Sequence, residues 1–559
     1  MLIHSGFFII VLGFLGFFTS RSFHRYVSLP TSLLLLVSAL FLTNQTGLSV
    51  NLFSYDLTLL RIDGLSRVFS IVFILMTFCG LIFSINQRNK KEISWALIYA
   101  GSGVSAVLAG DLLSFFVFCE VMAIASTFLI LGTRTELSRS AGFRYALIHF
   151  FAGILILVGI AGVINETGNI AFDQLDFENV YAKFIFVGFL INAGCYPFSS
   201  WVPDSYPEAS YSGSVFLSAF TTKTAVYSIL RGFPGTELLI YLGLIMIFYG
   251  IIYALLENDM RRILSYSIVN QVGFMLVGAG IGTEMAINGA SSHAFAHILY
   301  KALLLMSAGS VLYMTRRRNC TELGGLFQSM PITMICGVIG AFAISAFPFT
   351  SGFVTKSMIS YAAADEHLFY VWLGLVAASA GVFLHAGIKF PWFVFFQKDS
   401  GLRPPDPPGN MRLAMYILSA LCILLGLFPG AIYSILPYEV DYEPYTVAHV
   451  LFQLQLLLFA GFAFFVMLPL LKRTQTISLD SDWIARKALR KIFLIAERAV
   501  DQFLCQTKES VSGLLNRRFA KRILDARKIV KITMGMPTNI MVLSMQIIFF
   551  TLLLVIVIT

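Results

Sequence analysis

Apolar runs long enough to cross a bilayer recur along almost the whole chain. A helix needs about 20 mostly apolar residues to traverse the hydrocarbon core. Such runs lie at 5–20, 28–46, 64–86, 93–109, 112–132, 142–165 and 181–199. Others follow at 211–231, 237–256, 262–283, 288–315, 330–360, 369–396, 411–436 and 449–471, with a last at 539–559. The pattern predicts an all-α polytopic membrane protein with about 16 transmembrane helices.

The polar connections support this division. Arg21/Arg25, Arg88/Lys90/Lys91, Arg134/Arg139, Arg261/Arg262, Arg316/Arg317/Arg318, Lys398/Arg403 and Lys472/Arg473 all follow odd-numbered spans. Acidic loops follow even-numbered spans, as at Asp173/Asp176/Glu178 and Glu439/Asp441/Glu443. Cytoplasmic loops carry the Lys/Arg excess, so both termini are expected outside. The first span has no basic flank and no small-residue cleavage site, and is read as a retained helix.

Two spans are interrupted by similar wording, Cys195-Tyr196-Pro197-Phe198-Ser199-Ser200 and Ala346-Phe347-Pro348-Phe349-Thr350-Ser351-Gly352. Proline removes a helix hydrogen bond, and broken helices in corresponding halves of a transporter point to an ion pathway at mid-membrane. Residues 482–532 differ in kind. Ile484, Leu489, Ile492, Phe493, Ala496, Val500 and Phe503 recur at helical spacing among Arg486, Lys487, Arg490 and Lys491. This predicts a long amphipathic helix lying along the membrane rather than through it.

Composition excludes several classes. Only 12% of the 559 residues are charged and 57% are hydrophobic, with a mean hydropathy of +0.81. A soluble domain carries roughly 25% charged residues. The net charge of +9 resides after Leu471, where fifteen Lys/Arg face six Asp/Glu. A basic stretch between spans suits an anionic lipid face or a partner's membrane arm, and no soluble module exists for nucleic acid. The seven cysteines are scattered, without a CxxC pair or Cys/His cluster, so no disulfide framework, metal site or iron–sulfur site is expected. No Gly-rich nucleotide loop or nucleophile motif appears, so neither cofactor nor catalytic residues are expected in this chain.

Ionisable residues inside spans cost on the order of 2.5–3.5 kcal/mol each on insertion scales, so each needs a reason. Glu120 lies within Phe118–Met122, and Lys223 within Ser218–Val226. His293, His297 and Lys301 follow one another at four-residue steps, which places them along one helical face about 6 Å apart per step. Lys356 follows the second proline break, and His385 and Lys389 repeat the four-residue step. Buried Glu, Lys and His joined by water can exchange protons, so these residues are read as a candidate relay. His149, beside Arg144, is read as interfacial and left outside it.

Taken together, these segments resemble the antiporter-like proton-translocating family, which includes large membrane subunits of respiratory complex I, membrane-bound hydrogenases and Mrp-type cation/proton antiporters. The resemblance covers about residues 60–400. It rests on Phe118–Val121, Trp201-Val202-Pro203-Asp204 with Tyr206-Pro207-Glu208-Ala209, Thr221–Tyr227, Asn258–Ser267, His293–Leu305 and Gly352–Lys356. The resemblance implies half-channels from each side joined by a mid-membrane chain of charges. In it Glu120 matches the glutamate of the fifth span and Lys223 the lysine of the eighth. Lys301, with His293 and His297, matches the central connecting group, and Lys356 the residue ending the twelfth. His385, Lys389 and Asn192 are possible accessories. The resemblance also implies organisation into N-terminal helices (1–92), two repeats (93–231 and 237–396), C-terminal helices (411–471), a lateral helix (482–532) and a final span (539–559).

Two departures stand out. Family members carry a lysine in the seventh span where this chain has Asn192, so either Lys223 takes its role or the first half conducts poorly. The long C-terminal segment resembles the largest complex I subunit, whereas Trp201–Arg231 and His385–Phe396 look most like the Mrp D-type subunit. The resemblance therefore implies a proton-conducting inner-membrane subunit of an Mrp-like Na⁺/proton antiporter, partnered by other membrane subunits. A proton-pumping subunit of a complex I- or hydrogenase-type machine and a non-conducting scaffold are the alternatives.

Overall fold

The computed structural model describes residues 4–52, 55–471, 480 and 483. The chain divides into two units, Met1–Thr476 and Ile477–Thr559, and the features below belong to the first. The amphipathic segment 482–532 and the final span 539–559 lie outside the described residues. Among those described, ten helices are long and apolar enough to cross a membrane, and three shorter apolar ones accompany them.

Helices α1 (Ser5–Phe18) and α2 (Leu29–Leu40) precede a hairpin of β1 (Gln45–Leu52) and β2 (Tyr55–Ile62), paired antiparallel from Gln45–Ile62 to Leu52–Tyr55. The apolar-run reading extends a helix to residue 46 and passes over this hairpin. Its strands alternate polar and apolar residues with a period of two, which a scan for continuous apolar stretches does not register.

Next come α3 (Gly64–Ser84), α4 (Lys90–Leu108), α5 (Leu112–Leu131), α6 (Glu136–Thr167), α7 (Val180–Ala193), α8 (Trp201–Ser205), α9 (Gly213–Leu217) and α10 (Thr221–Gly232). The second half holds α11 (Leu238–Leu256), α12 (Met260–Ile281), α13 (Glu284–Thr315), α14 (Pro331–Ile344) and α15 (Ser351–Asp365). It continues with α16 (Phe369–Val382), extended by π-type turns to Phe396, then α17 (Gly409–Leu427) and α18 (Val447–Val466).

The two halves share one backbone plan. Asp111 caps α5 and pairs with Ala171, while Asp259 caps α12 and pairs with Asn319. Thr135 and Thr283 cap the 32-residue helices α6 and α13, which end at Gly168 and Arg316 in the left-handed region. Every one of these pairs is separated by the same 148 residues, as are the starts and ends of α4 and α11. A side-chain oxygen at each N-cap satisfies backbone donors that the helix start leaves free.

Helix contacts in lipid favour small residues, because apolar surface gains nothing by leaving acyl chains. Between α11 and α12, Gly243 and Gly273 meet so closely that a Cβ on either would come within 2.6 Å of the other's carbonyl oxygen. Helix α12 is buried throughout its hydrophobic stretch, and α13 almost throughout. These two form the core of the first unit.

Candidate functional site

Helix α13 carries His293, His297 and Lys301, all fully buried. The two imidazole rings lie 6.3 Å apart between centroids. His293 is engaged by Thr355 at 3.2 Å and Tyr300 at 3.4 Å, and Tyr300 donates to Gln271 at 3.0 Å. Lys301 donates to Ser267 of α12 at 2.9 Å. His297 stands between them, and neither of its ring nitrogens has a hydrogen-bond partner among the described residues. A buried polar atom without a partner costs about 1–3 kcal/mol. Packing alone would be served better by an apolar side chain.

The breaks in the helices serve the lysines. Lys356, on α15, donates at 2.7 Å to the carbonyl of Ile344, the last residue of α14, and its ammonium stands 4.9 Å from the Phe274 ring. Lys223, on α10, donates at 2.7 Å to the carbonyl of Ser218, the C-cap of α9. The apolar run at 211–231 reads as one continuous span, but the chain breaks at Ser218–Phe220 just before this lysine. Carbonyls released at a helix C-terminus carry partial negative charge, so each broken end is a seat for an ammonium. None of the ion pairs among the described residues includes Glu120, Lys223, Lys301, Lys356 or Lys389.

Lys389 is bound more tightly. It donates to Ala254 at 3.0 Å, to Leu255 and to Glu257 at 2.6 Å, closing the C-terminus of α11. This geometry is that of a helix cap. His385 donates from Nδ1 to Gly381 at 2.9 Å and leaves Nε2 without a partner among the described residues.

In the first half, Glu120 is buried on α5 and packs against Gly153 of α6. A Cβ on Gly153 would sit 2.4 Å from its Oε1, so any other residue there would make the carboxylate move. Gly153 occupies the position 148 residues before Lys301. His149, one turn earlier on α6, corresponds likewise to His297. The interfacial reading of His149 does not hold: the residue is 4% exposed and bonded at 2.8 Å to Asn192. The signal for it lies in the 148-residue periodicity rather than in any local motif.

Beside Lys356 opens a cavity of about 560 Å³, lined by Ser357, Ser360, His449 and Gln453 and by the exposed acids Asp441 and Glu443. It joins the buried Lys356 to an acidic surface loop.

The domain described as NADH:quinone oxidoreductase/Mrp antiporter, TM, matches residues 109–383. The D-type subunit of the Na(+)/H(+) antiporter of Alkalihalophilus pseudofirmus is 32% identical over 367 residues, 61% of this chain and 73% of that one. The chain belongs to the NADH:quinone oxidoreductase/Mrp antiporter family. Within that family it is also 26% identical to Hydrogenase-4 component B of Escherichia coli over 420 residues, 66% of this chain and 62% of that one. Its fold matches a chain of the membrane-bound sulfane sulfur reductase, an archaeal respiratory membrane complex, with a TM-score of 0.73 at 20% identity over 94% of this chain and 98% of that one. The chain is therefore a multi-pass, antiporter-like membrane subunit, and ion and proton transport fit its family.

Proposed function

We propose that this chain is the proton-conducting subunit of a multisubunit Mrp-like antiporter that exchanges protons for Na⁺ across the cell inner membrane, with both termini outside. Protons pass among Glu120, Lys223, Lys301 with His293 and His297, and Lys356, linked by water along the membrane plane. The observation that carries this reading is His297, buried between His293 and Lys301 with both ring nitrogens unpartnered among the described residues. An imidazole can both accept and release a proton near neutral pH, and a step of about 6 Å along a helix face suits a bridging water.

The lysine cages support the same reading. Each ammonium is held by neutral oxygens, so losing its proton breaks no ion pair. A carboxylate partner would instead fix the charge in place. The acids at the cavity beside Lys356 raise the local concentration of cations and protons at one entrance. The partners are other membrane subunits and the surrounding lipid, with no chemistry on nucleic acid.

The test is Na⁺-dependent collapse of a proton gradient in inside-out vesicles carrying the whole complex, read with a fluorescent pH dye. The unaltered complex is expected to respond, and Lys356→Ala to fall at least tenfold. Full activity of Lys356→Ala together with Lys301→Ala would leave only a scaffold role. A second reading, a pump subunit of a redox complex, is favoured by the alignment with Hydrogenase-4 component B, which extends over 420 residues against 367 for the antiporter relative. Co-purification decides between them. Small hydrophobic membrane subunits are expected for the antiporter, and flavin, quinone or iron–sulfur subunits for the pump.

A further inference from the structure

We propose that His149 is the proton carrier of the first half, held in one tautomer by Asn192. This inference rests on the relay proposed above and adds a residue to it. The evidence is geometric. His149 is buried on α6, and its Nδ1 lies 2.8 Å from the carboxamide oxygen of Asn192 on α7. That oxygen can only accept, so Nδ1 bears the hydrogen and Nε2 presents a lone pair. Nε2 has no partner among the described residues. One turn along α6, Glu120 Oε1 from α5 fills the space beside Gly153, so the carboxyl lies against the turn that follows His149, and positions four apart on a helix are about 6 Å from each other.

Hydroxyls lie nearby. The Tyr145 ring is 4.1 Å from the imidazole between centroids, and its Oη donates to Ser126 at 2.9 Å and stands 3.4 Å from Thr221 Oγ1. Thr221 is two residues from Lys223, whose ammonium donates to Thr222 at 3.0 Å. The transfer balances in two steps. The Glu120 O–H breaks as an N–H forms at Nε2, leaving carboxylate and imidazolium. That N–H then breaks as the Lys223 amine gains the proton through the hydroxyls, which restores neutral imidazole and leaves an ammonium. Asn192 is a positioning residue throughout.

The test uses the whole complex in proteoliposomes, with Na⁺-driven proton movement as the readout and Lys301→Ala as the reference. His149→Gln keeps a hydrogen-bonding side chain but cannot take up a proton, and is expected to lower flux at least tenfold in an assembled complex. His149→Asn serves if the glutamine variant does not assemble. Asn192→Lys, added to the His149 variant, returns a titratable group to the same spot and is expected to restore at least a third of the flux. A role in packing alone would not be rescued this way, so a loss that Asn192→Lys leaves unrepaired overturns the proposal. Normal flux in His149→Gln beside an inactive Lys301→Ala overturns it while leaving the relay intact. Normal flux in Lys301→Ala removes the relay, and the histidine's role with it.

Discussion

The two repeated halves of the first unit share a backbone plan and carry opposite chemistry. Where α5 crosses α6, the acid Glu120 comes from the first helix and fills the gap above Gly153 of the second. Where α12 crosses α13, the first helix has Ile268 at the corresponding place, and the base Lys301 comes from the second to reach Ser267. The histidine is kept in both, as His149 and His297. What is preserved is the crossing point of two helices and the presence of one charge there. The sign of the charge and the helix that supplies it are free to change. A buried acid and a buried base at equivalent points suit opposite ends of a proton path, because one releases the proton that the other takes up.

Removing the charge on either side should break this comparison most severely. Glu120→Ala is expected to reduce Na⁺-dependent proton movement in vesicles at least tenfold, although Asn192 stands where the sequence resemblance implies a lysine. Retained flux in that variant would mean that the first half is silent. Gly153→Ala is the finer probe, since alanine's Cβ would displace Glu120 Oε1. Alanine in a helix is favoured over glycine by about 1 kcal/mol, so stability should hold while flux falls severalfold. Unchanged flux in Gly153→Ala would show that the carboxylate does not need its present position.

Lys389→Met marks the contrast between a relay lysine and a capping one. Loss of the charged cap on α11 is expected to cost about 2 kcal/mol, seen as a lower thermal midpoint in detergent, with flux per assembled complex unchanged. A tenfold loss of flux at normal stability would return Lys389 to the relay.

The smallest effect concerns Asp63, which caps α3 just before its apolar run. Burial raises its pKa, but the hydrogen bonds and charge of Arg231 outweigh this and hold the carboxyl below the usual aspartate range. A pKa lowered by folding adds stability above the unfolded value and loses it as pH falls through the folded one. Thermal midpoints should therefore drop below about pH 3.8, the unfolded aspartate value. Asp63→Asn should remove part of that drop, and an identical pH profile would contradict it.

Much of this is legible in the sequence because the bilayer simplifies the problem. Long apolar runs mark helices, and an ionisable residue inside a run has few innocent explanations, so Glu120, Lys223, His293, His297, Lys301 and Lys356 stand out. The π-type turns around His385, the break before Lys223 and the hairpin at 45–62 do not, since each leaves local hydropathy unchanged. His149 reads as interfacial because its neighbour Arg144 looks like a membrane boundary, whereas that arginine is paired with Asp204 at 2.7 Å. Lys389 reads as a possible accessory from its spacing, which does not reveal the three carbonyls of another segment around its ammonium.

The most direct measurement of the relay is Na⁺-driven proton entry into proteoliposomes containing the purified complex, comparing Lys301→Ala with the unaltered protein. A central link predicts loss of at least tenfold in an assembled complex that retains all its subunits. Full proton entry in Lys301→Ala would contradict a proton path through the centre of this chain.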